Sequence, residues 1–296
     1  MTVSSNNRQR HSKQSKSNLR TVGVEFKHVD YLPLVGKQAV GFIQQSAKNK
    51  KPFFLYLPLP SPHKPVLPDE SFKGKSGIGD YGDYVMETDW VIGQVVEQLK
   101  KSGVYDNTLI VLTSDNGSFA IPELYQVVQT GHRPNGHFRG QKTDIYEGGH
   151  RVPFIVSWPK KMGKGRMSEQ VVCTTDIMPK ALSVAGVKIP KNAAEDGYDL
   201  LPLLLNEKQA GSLREATVHH SVSGMFSLRK GKWKLIVGRG SGGRTKVPKL
   251  DPIIQLYDMQ KDPTERTNLY LEHPEIGKEL ETTLKRYKEA GRSVKF

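Results

Sequence analysis

Cysteine is nearly absent. Cys173 is the single thiol in 296 residues, so an intrachain disulfide framework is excluded, and the bland role of a buried structural cysteine is the expected one. Zinc-finger spacing is absent for the same reason. Long hydrophobic runs are also missing. The longest, Phe53 to Pro60, is far short of the roughly 20 apolar residues that span a bilayer. The first stretch, Met1 to Arg20, has no apolar core, so no signal peptide is visible and a membrane partner is not expected. It also has no acid. Arg8, Arg10, Lys13, Lys16 and Arg20 stand there alone, and Met1 to Asn18 reads as a disordered Ser/Asn/Gln/Lys/Arg-rich tail. No internal repeat is present.

What remains is strongly basic: Lys and Arg number 44 against 30 Asp and Glu, a formal net charge of +14. A third of that excess sits in the tail, and the rest is interspersed with acids. No aromatic-basic repeat accompanies it. A nucleic-acid partner is therefore not expected, whereas an anionic polysaccharide suits such a surface.

Periodicity gives the framework. Val35 to Asn49 reads as a helix with Val35, Ala39, Phe42 and Ile43 inward, stopped by Pro52. The unbroken apolar run Phe53-Phe54-Leu55-Tyr56-Leu57 reads as a strand buried on both faces. Asp80 to Lys101 is the clearest helix, with Val85, Ile92, Val96 and Leu99 on one face and Gly103 at its end. Strands follow at Leu109 to Leu112 and Phe154 to Ser157, with a Gly-rich loop between them. This alternation predicts an α/β fold with a mostly parallel sheet flanked by helices, whose ligands bind beyond the carboxyl ends of the strands. Near Leu205 the pattern changes. Short β runs at Ala216–Ser221, Met225–Arg229, Lys232–Val237 and Ile253–Tyr257 predict a small antiparallel sheet. An amphipathic helix over Pro274–Ala290 follows, with Ile276, Leu280, Leu284 and Tyr287 on one face. The resulting division is a basic tail over 1–20, an α/β region over 21–205 and an antiparallel subdomain over 206–296.

Three positions carry chemistry. Asp115-Asn116 ends a strand with adjacent oxygen donors, which suit a hard cation such as Ca²⁺. An Asx turn on Asp-Asn-Gly is the competing reading, and the nearby chemistry favours the metal. Lys142 sits in the loop between Gly140 and Gly148. There it is either a solvated surface lysine or a cation for a bound anionic ester. His63 lies in Ser61-Pro62-His63-Lys64-Pro65, where it is either structural or a proton donor to a leaving alkoxide.

These segments together resemble one family. Phe53-Phe54-Leu55-Tyr56 with Pro62-His63-Lys64-Pro65, and Asp106-Asn107-Thr108 through Ser114-Asp115-Asn116-Gly117, are similar to stretches of the sulfatases of the alkaline-phosphatase superfamily. So are Arg139-Gly140-Gln141-Lys142 through Glu147-Gly148-Gly149, and Asp176-Ile177-Met178-Pro179 with Ala185-Gly186 and Asp196-Gly197. Leu256-Tyr257-Asp258, Asp262-Pro263, Glu265 and Asn268-Leu269 resemble the family's C-terminal subdomain. The likeness runs from about Gly36 onward. It implies an alkaline-phosphatase-like fold and a sulfuric ester hydrolase acting on a sulfated small molecule or polysaccharide, of a carbohydrate or an aryl alcohol. It also implies that Asp115 and Asn116 ligate Ca²⁺, that Lys142 binds the sulfate, and that His63 contacts it and assists departure of the alcohol. Glu147, Gly148 and Gly149 would shape the loop, and His132, His137 and Arg139 would line the substrate cleft. Family members are often exported or lysosomal.

The departures are as informative. Sulfatases carry a Cys/Ser-x-Pro-Ser-Arg motif whose first residue becomes formylglycine, and no such motif occurs here. Cys173 precedes Thr174-Thr175-Asp176, and Ser157-Trp158-Pro159 precedes two lysines. The family's paired aspartates and its second lysine-histidine pair are absent as well. Half of the calcium site is thus expected, with a separate N-terminal half as a partner. The rival readings are a catalytically dead protein that binds sulfated glycans and a phosphodiesterase or phosphatase of the same superfamily.

Overall fold

The computed structural model describes residues 27–119, 121–163, 165–205, 212–246 and 252–295. The basic tail therefore lies outside the described residues, as does the stretch just after Leu205. The chain forms two compact units that divide between Gln98 and Leu99.

The first unit is built on two helices. Helix α1, Tyr31–Lys48, begins four residues before the expected start. Pro33 falls in its first turn, where a missing N–H breaks no helical bond. Its buried residues are Leu32, Gly36, Ala39 and Ile43, so the face is turned from the expected one and Phe42 is 42% exposed. Gly36 explains the turn: a Cβ there would lie 3.1 Å from Val91 Cγ1, so the glycine lets the next helix approach closely. That helix, α2, spans Asp80–Lys101 as expected, but it buries Tyr84, Glu87 and Val91, while Val85 is exposed. The polar residues on this face have work that periodicity does not reveal. Asp83 accepts the N–H groups of Gly74 and Ser76 at 2.7 and 2.8 Å, and Glu87 accepts that of Asp69 at 2.9 Å. They hold the loop before the helix.

The expected strand over Phe53 to Leu57 is extended but joins no ladder among the described residues. Nor is it buried on both faces: Phe53, Leu55 and Leu57 are half-buried and alternate with exposed Phe54 and Tyr56. Apolar character had specified an interior strand, but no neighbouring strand among the described residues satisfies it.

The second unit contains two sheets. Strand β1, Ile110–Thr113, pairs antiparallel with β2, Phe154–Ser157, from Ile110 opposite Ser157 to Thr113 opposite Phe154. All pairing among the described strands is antiparallel, so the parallel part of the expected sheet is not formed there. The connection expected as a loop contains helix α3, Pro122–Gln129, anchored by Ile121, Leu124 and Val127. Helix α4, Glu147–His150, is a single turn, and α5, Ile177–Val184, and α6, Leu201–Leu205, follow. Asp176, fully buried, pairs with Arg214 and accepts the N–H groups of Cys173 and Tyr198 at 2.8 and 2.9 Å. Cys173 itself is half-buried.

The C-terminal meander forms close to the expected positions: β3 Thr217–His220, β4 Phe226–Lys230, β5 Trp233–Val237 and β6 Ile254–Asp258, in spatial order. Helix α7, Pro274–Ala290, ends at Gly291 with φ +65°. The meander has two apolar faces. Leu228, Leu235 and Leu256 pack with Leu280, Leu284 and Tyr287 of α7, each buried aliphatic side chain contributing about 1.5–3 kcal/mol. Ile236, Tyr257 and Met259 pack instead with Ile145 and Tyr146. The second face thus holds the loop that carries Lys142. Among the described residues, no helix is long and apolar enough to cross a membrane.

Candidate active site

The Asp115 turn and the Lys142 loop are locked together through main chain. Strand β1 ends at Thr113. Ser114 Oγ donates to Asn116 O at 3.0 Å, and Asn116 Nδ2 donates to Asp115 Oδ1 at 2.7 Å. The Gly117 N–H donates to Gly149 O at 3.0 Å. A Cβ on Gly117 would lie 1.8 Å from Gly148 O, one on Gly148 2.3 Å from Gly140 O, and one on Gly149 2.4 Å from Asp144 O. Gly117 therefore permits the close crossing of the two segments, and Gly148 and Gly149 let the Lys142 loop fold closely on itself. The Lys142 N–H donates to Ser118 O at 2.9 Å, which seats the lysine beside the end of the Asp115 turn. Asn135 completes the joint: its Oδ1 accepts the Ser118 N–H at 2.7 Å, and its Nδ2 donates to Ser118 O at 3.2 Å and Gly140 O at 3.3 Å. Lys142 is half-buried, and no hydrogen bond or ion pair engages its ammonium among the described residues.

The loop is held from the other side by buried charge. Asp144 Oδ2 accepts the Gln141 N–H and the Thr245 hydroxyl, and its Oδ1 accepts the N–H groups of Arg244 and Thr245. Lys234, fully buried on β5, donates to Ile145 O at 3.0 Å and to Glu147 Oε1 at 2.9 Å. Its ammonium also lies 2.7 Å from Glu265 Oε1, as an ion contact out of line for a hydrogen bond. Glu265 Oε2 accepts the Glu147 N–H at 2.6 Å. Burial alone would raise the Glu147 carboxyl, but Lys234, with Arg229 and Arg151, holds it below the ordinary carboxylate range. Glu265 goes the other way, raised by burial and by Glu147 despite Lys234. His150 and His219 stack at 4.3 Å behind this cluster. Burial, then Lys234, pushes His150 down to about 4, and burial with Lys234 and His150 depresses His219 further.

The remaining expected site residues are placed as follows. His63 belongs to the first unit, on an exposed loop, with Nδ1 2.7 Å from Lys64 O. A carbonyl only accepts, so Nδ1 carries a proton and Nε2 is left outward for a second partner. Asp115, Asn116, Lys142, His132, His137 and Arg139 belong to the second unit. His132 and His137 are exposed, the latter stacked on Phe138 at 4.3 Å. Arg139 is committed to the scaffold: it donates to Glu265 O at 2.8 Å and lies 4.0 Å over the Tyr146 ring. The positions that sequence reasoning missed are Asn135, which reads as an ordinary turn residue, and Lys234. A lysine inside an apolar strand was the only available signal for the latter.

Asp115 and Asn116 offer the donor types that calcium takes, but two side chains fall well short of its usual 6–8 oxygens. Among the described residues, no group of three or more His, Cys, Asp or Glu side chains could hold a metal. The donor types suit calcium, but two donors do not make a calcium site among the described residues.

Known proteins resemble the chain over nearly all of its length. The Sulfatase family profile matches residues 10–187, and the profile of the N-sulphoglucosamine sulphohydrolase C-terminal region matches residues 136–290. An N-acetylgalactosamine-6-O-sulfatase of Bacteroides thetaiotaomicron is 33% identical over 271 residues, which cover 89% of this chain and 52% of that protein. A steryl-sulfatase of Rattus norvegicus is 39% identical over 158 residues, covering 53% of this chain and 27% of that protein. A solved structure from work on glycosaminoglycan metabolism by Bacteroides thetaiotaomicron superposes with a TM-score of 0.78 at 31% identity, over 89% of this chain and 55% of that one. A sulfatase from Pseudoalteromonas sp. superposes with a TM-score of 0.75 at 25% identity, over 87% and 52%. The chain thus spans about half the length, or less, of these relatives. With an alkaline-phosphatase-like α/β fold and matches that run from its beginning almost to its end, the chain belongs to the sulfatase family.

Proposed function

We propose that this chain supplies the sulfate-binding and leaving-group side of a sulfuric ester hydrolase acting on sulfate esters of carbohydrates or aryl alcohols, and that it is inactive alone. The observation that carries this reading is the joint between the Asp115 turn and the Lys142 loop, made by Gly117 N–H to Gly149 O and Lys142 N–H to Ser118 O. It sets an oxygen-donor pair and a lysine on adjacent segments joined by main-chain hydrogen bonds. Among the described residues no hydrogen bond or ion pair engages the Lys142 ammonium, which leaves it available to an anionic ester. Its ammonium would neutralise charge on the sulfate oxygens as the S–O bond breaks. His63 would protonate the departing alkoxide through Nε2 when the ring is charged.

Asp115 and Asn116 would contribute two ligands to a calcium ion that neutralises the sulfate, with the other ligands coming from a separate N-terminal half. To face a cation, the Asn116 amide would turn its oxygen where its Nδ2 now meets Asp115. In this family formylglycine supplies the attacking group, and the present sequence has no Cys/Ser-x-Pro-Ser-Arg from which to make it. That absence favours one second reading, a catalytically dead protein that binds sulfated glycans. The test is to join the chain to an upstream segment bearing the motif, in a host that forms formylglycine, and to assay an aryl sulfate. Turnover that depends on Lys142 supports the hydrolase. Binding of a sulfated glycan with no turnover after joining supports the second reading.

A further inference from the structure

The connection between β5 and β6 is rich in glycine and cations. From Gly238 to Leu250 it holds Arg239, Arg244, Lys246 and Lys249 and no acid. Its described part, up to Lys246, is tied down by hydrogen bonds. Ser241 O accepts the Ile145 N–H at 2.8 Å, and Gly242 O accepts the Ser223 N–H at 3.1 Å. Gln255 Nε2 donates to Gly238 O and Gly240 O at 2.9 and 3.0 Å. Asp144, fully buried, anchors this connection to the Lys142 loop. Its Oδ1 accepts the N–H groups of Arg244 and Thr245 at 2.8 and 3.1 Å. Its Oδ2 accepts the Gln141 N–H at 2.9 Å and the Thr245 hydroxyl. Gly243 permits the contact, since a Cβ there would lie 2.4 Å from Asp144 Oδ1. One carboxylate thus fixes the main chain at Arg244 and at the residue before Lys142.

A second contact joins the same segments. The Lys142 N–H donates to Ser118 O at 2.9 Å, and the next residue, Phe119, carries the Arg244 guanidinium 4.8 Å over its ring. Ser118-Phe119 therefore touches both cation-bearing segments. Arg244 is exposed, and no hydrogen bond or ion pair engages its guanidinium among the described residues. Stacking on the half-buried Phe119 ring holds the planar group by its face and leaves its N–H edge to solvent. Such an edge takes an oxyanion, sulfate or carboxylate, through two parallel hydrogen bonds. Asp144 does not compete for it, because its oxygens already hold main-chain N–H groups and the Thr245 hydroxyl. We propose that Arg244 is a specificity residue, which receives a second anionic group, sulfate or carboxylate, of a sugar whose first sulfate meets Lys142. The seat of the first sulfate rests on the function proposed above; the anion site at Arg244 does not. A singly charged ester engages Lys142 alone, whereas a sugar with a second oxyanion engages both cations. The pair therefore favours a polyanionic glycan over a simple aryl sulfate.

The experiment reads binding by the 296-residue chain, not catalysis. The probes are N-acetylgalactosamine 6-sulfate, the same sugar carrying a second sulfate, and the singly sulfated sugar linked to a glucuronate. Calorimetry at fixed ionic strength gives each affinity. At least one doubly charged probe should bind about tenfold more tightly than the singly charged one, as a charge-assisted contact contributes. The probe that shows the gain identifies the second group. Arg244→Ala should abolish the gain. Its urea midpoint should match the parent, because the main-chain N–H to Asp144 remains. Lys278→Ala removes an exposed charge from α7, on the opposite face of the meander, and should keep the gain. Equal affinity for all three probes, no measurable binding of any, or a gain that survives Arg244→Ala overturns the proposal. So does a gain that falls as far in Lys278→Ala, which would make net charge its source. Lys142→Ala separates the two readings. If Arg244→Ala abolishes the gain while Lys142→Ala leaves binding of the singly charged probe untouched, the anion site at Arg244 stands and the sulfate-binding role of Lys142 falls.

Discussion

Gly117 has no room for a side chain, and that makes it the sharpest single-residue test of the site's geometry. A Cβ placed 1.8 Å from Gly148 O must displace one of the two crossing segments. Gly117→Ala should therefore destabilise the chain by about 1–3 kcal/mol, the range for overpacking, and a fall in the urea midpoint without a change in slope would show it. Lys142 should behave in the opposite way. It is half-buried and bonded only through its main chain among the described residues. Lys142→Ala should leave the urea midpoint within about 0.5 kcal/mol yet lower turnover of the joined enzyme by roughly 10²-fold or more. His63→Ala should lower turnover less, since water partly replaces a general acid. His150 titrates in a readable window. Its pKa is about 4 in the folded chain against an ordinary 6.5, so the unfolded chain binds the proton first. The associated stability is fully present above pH 6.5 and is lost as pH falls through 4, by at most about 3 kcal/mol. His219 acts in the same direction. Urea midpoints taken between pH 7.5 and 4, as assay conditions of ordinary range, should fall steeply in the parent and less steeply in His150→Leu.

At the scale of elements, the Lys142 loop and the C-terminal meander work as one piece. One face of the meander packs on α7 and the other on Ile145 and Tyr146, while Lys234 bridges Glu147 and Glu265 in full burial. Removing that cation leaves two buried carboxylates without it, so Lys234→Met should cost about 3–5 kcal/mol, measurable as a loss of folded chain in urea. How much of this the sequence disclosed depends on where the signal resides. Helix α7 was legible because Ile276, Leu280, Leu284 and Tyr287 fall on one face and nothing else competes for that face. The meander was legible because Gly224 and Gly231 punctuate β-rich runs. The inward face of α2 was misread because Asp83 and Glu87 are buried for the loop bonds they make, and hydrophobic periodicity cannot register a buried carboxylate. Helix α3 was taken for loop because glycines surround it. The roles expected of Asp115 and Lys142 came from motif and resemblance, and the structure adds where these residues lie. Their mechanical connection through Gly117, Asn135 and Gly149 was not legible, because main-chain contacts between distant segments leave no periodic trace.

At the scale of the whole molecule, this sulfatase-family chain spans about half the length of its relatives. Calcium should bind it weakly, because two ligands cannot replace most of the ion's hydration shell; tight stoichiometric binding in a calorimeter would mean that further ligands reside in this chain. By the function proposed above, this chain provides the residues that receive the sulfate, while its sequence carries no formylglycine motif to supply the attacking group. The most direct measurement is aryl sulfate hydrolysis by the chain alone and by the chain joined to an upstream segment carrying the formylglycine motif, each with and without Lys142→Ala. The account predicts no turnover above background for the chain alone, turnover for the joined protein, and its loss by roughly 10²-fold in the lysine variant. Robust turnover by the 296-residue chain alone would contradict it, because the attacking group would then lie within these residues.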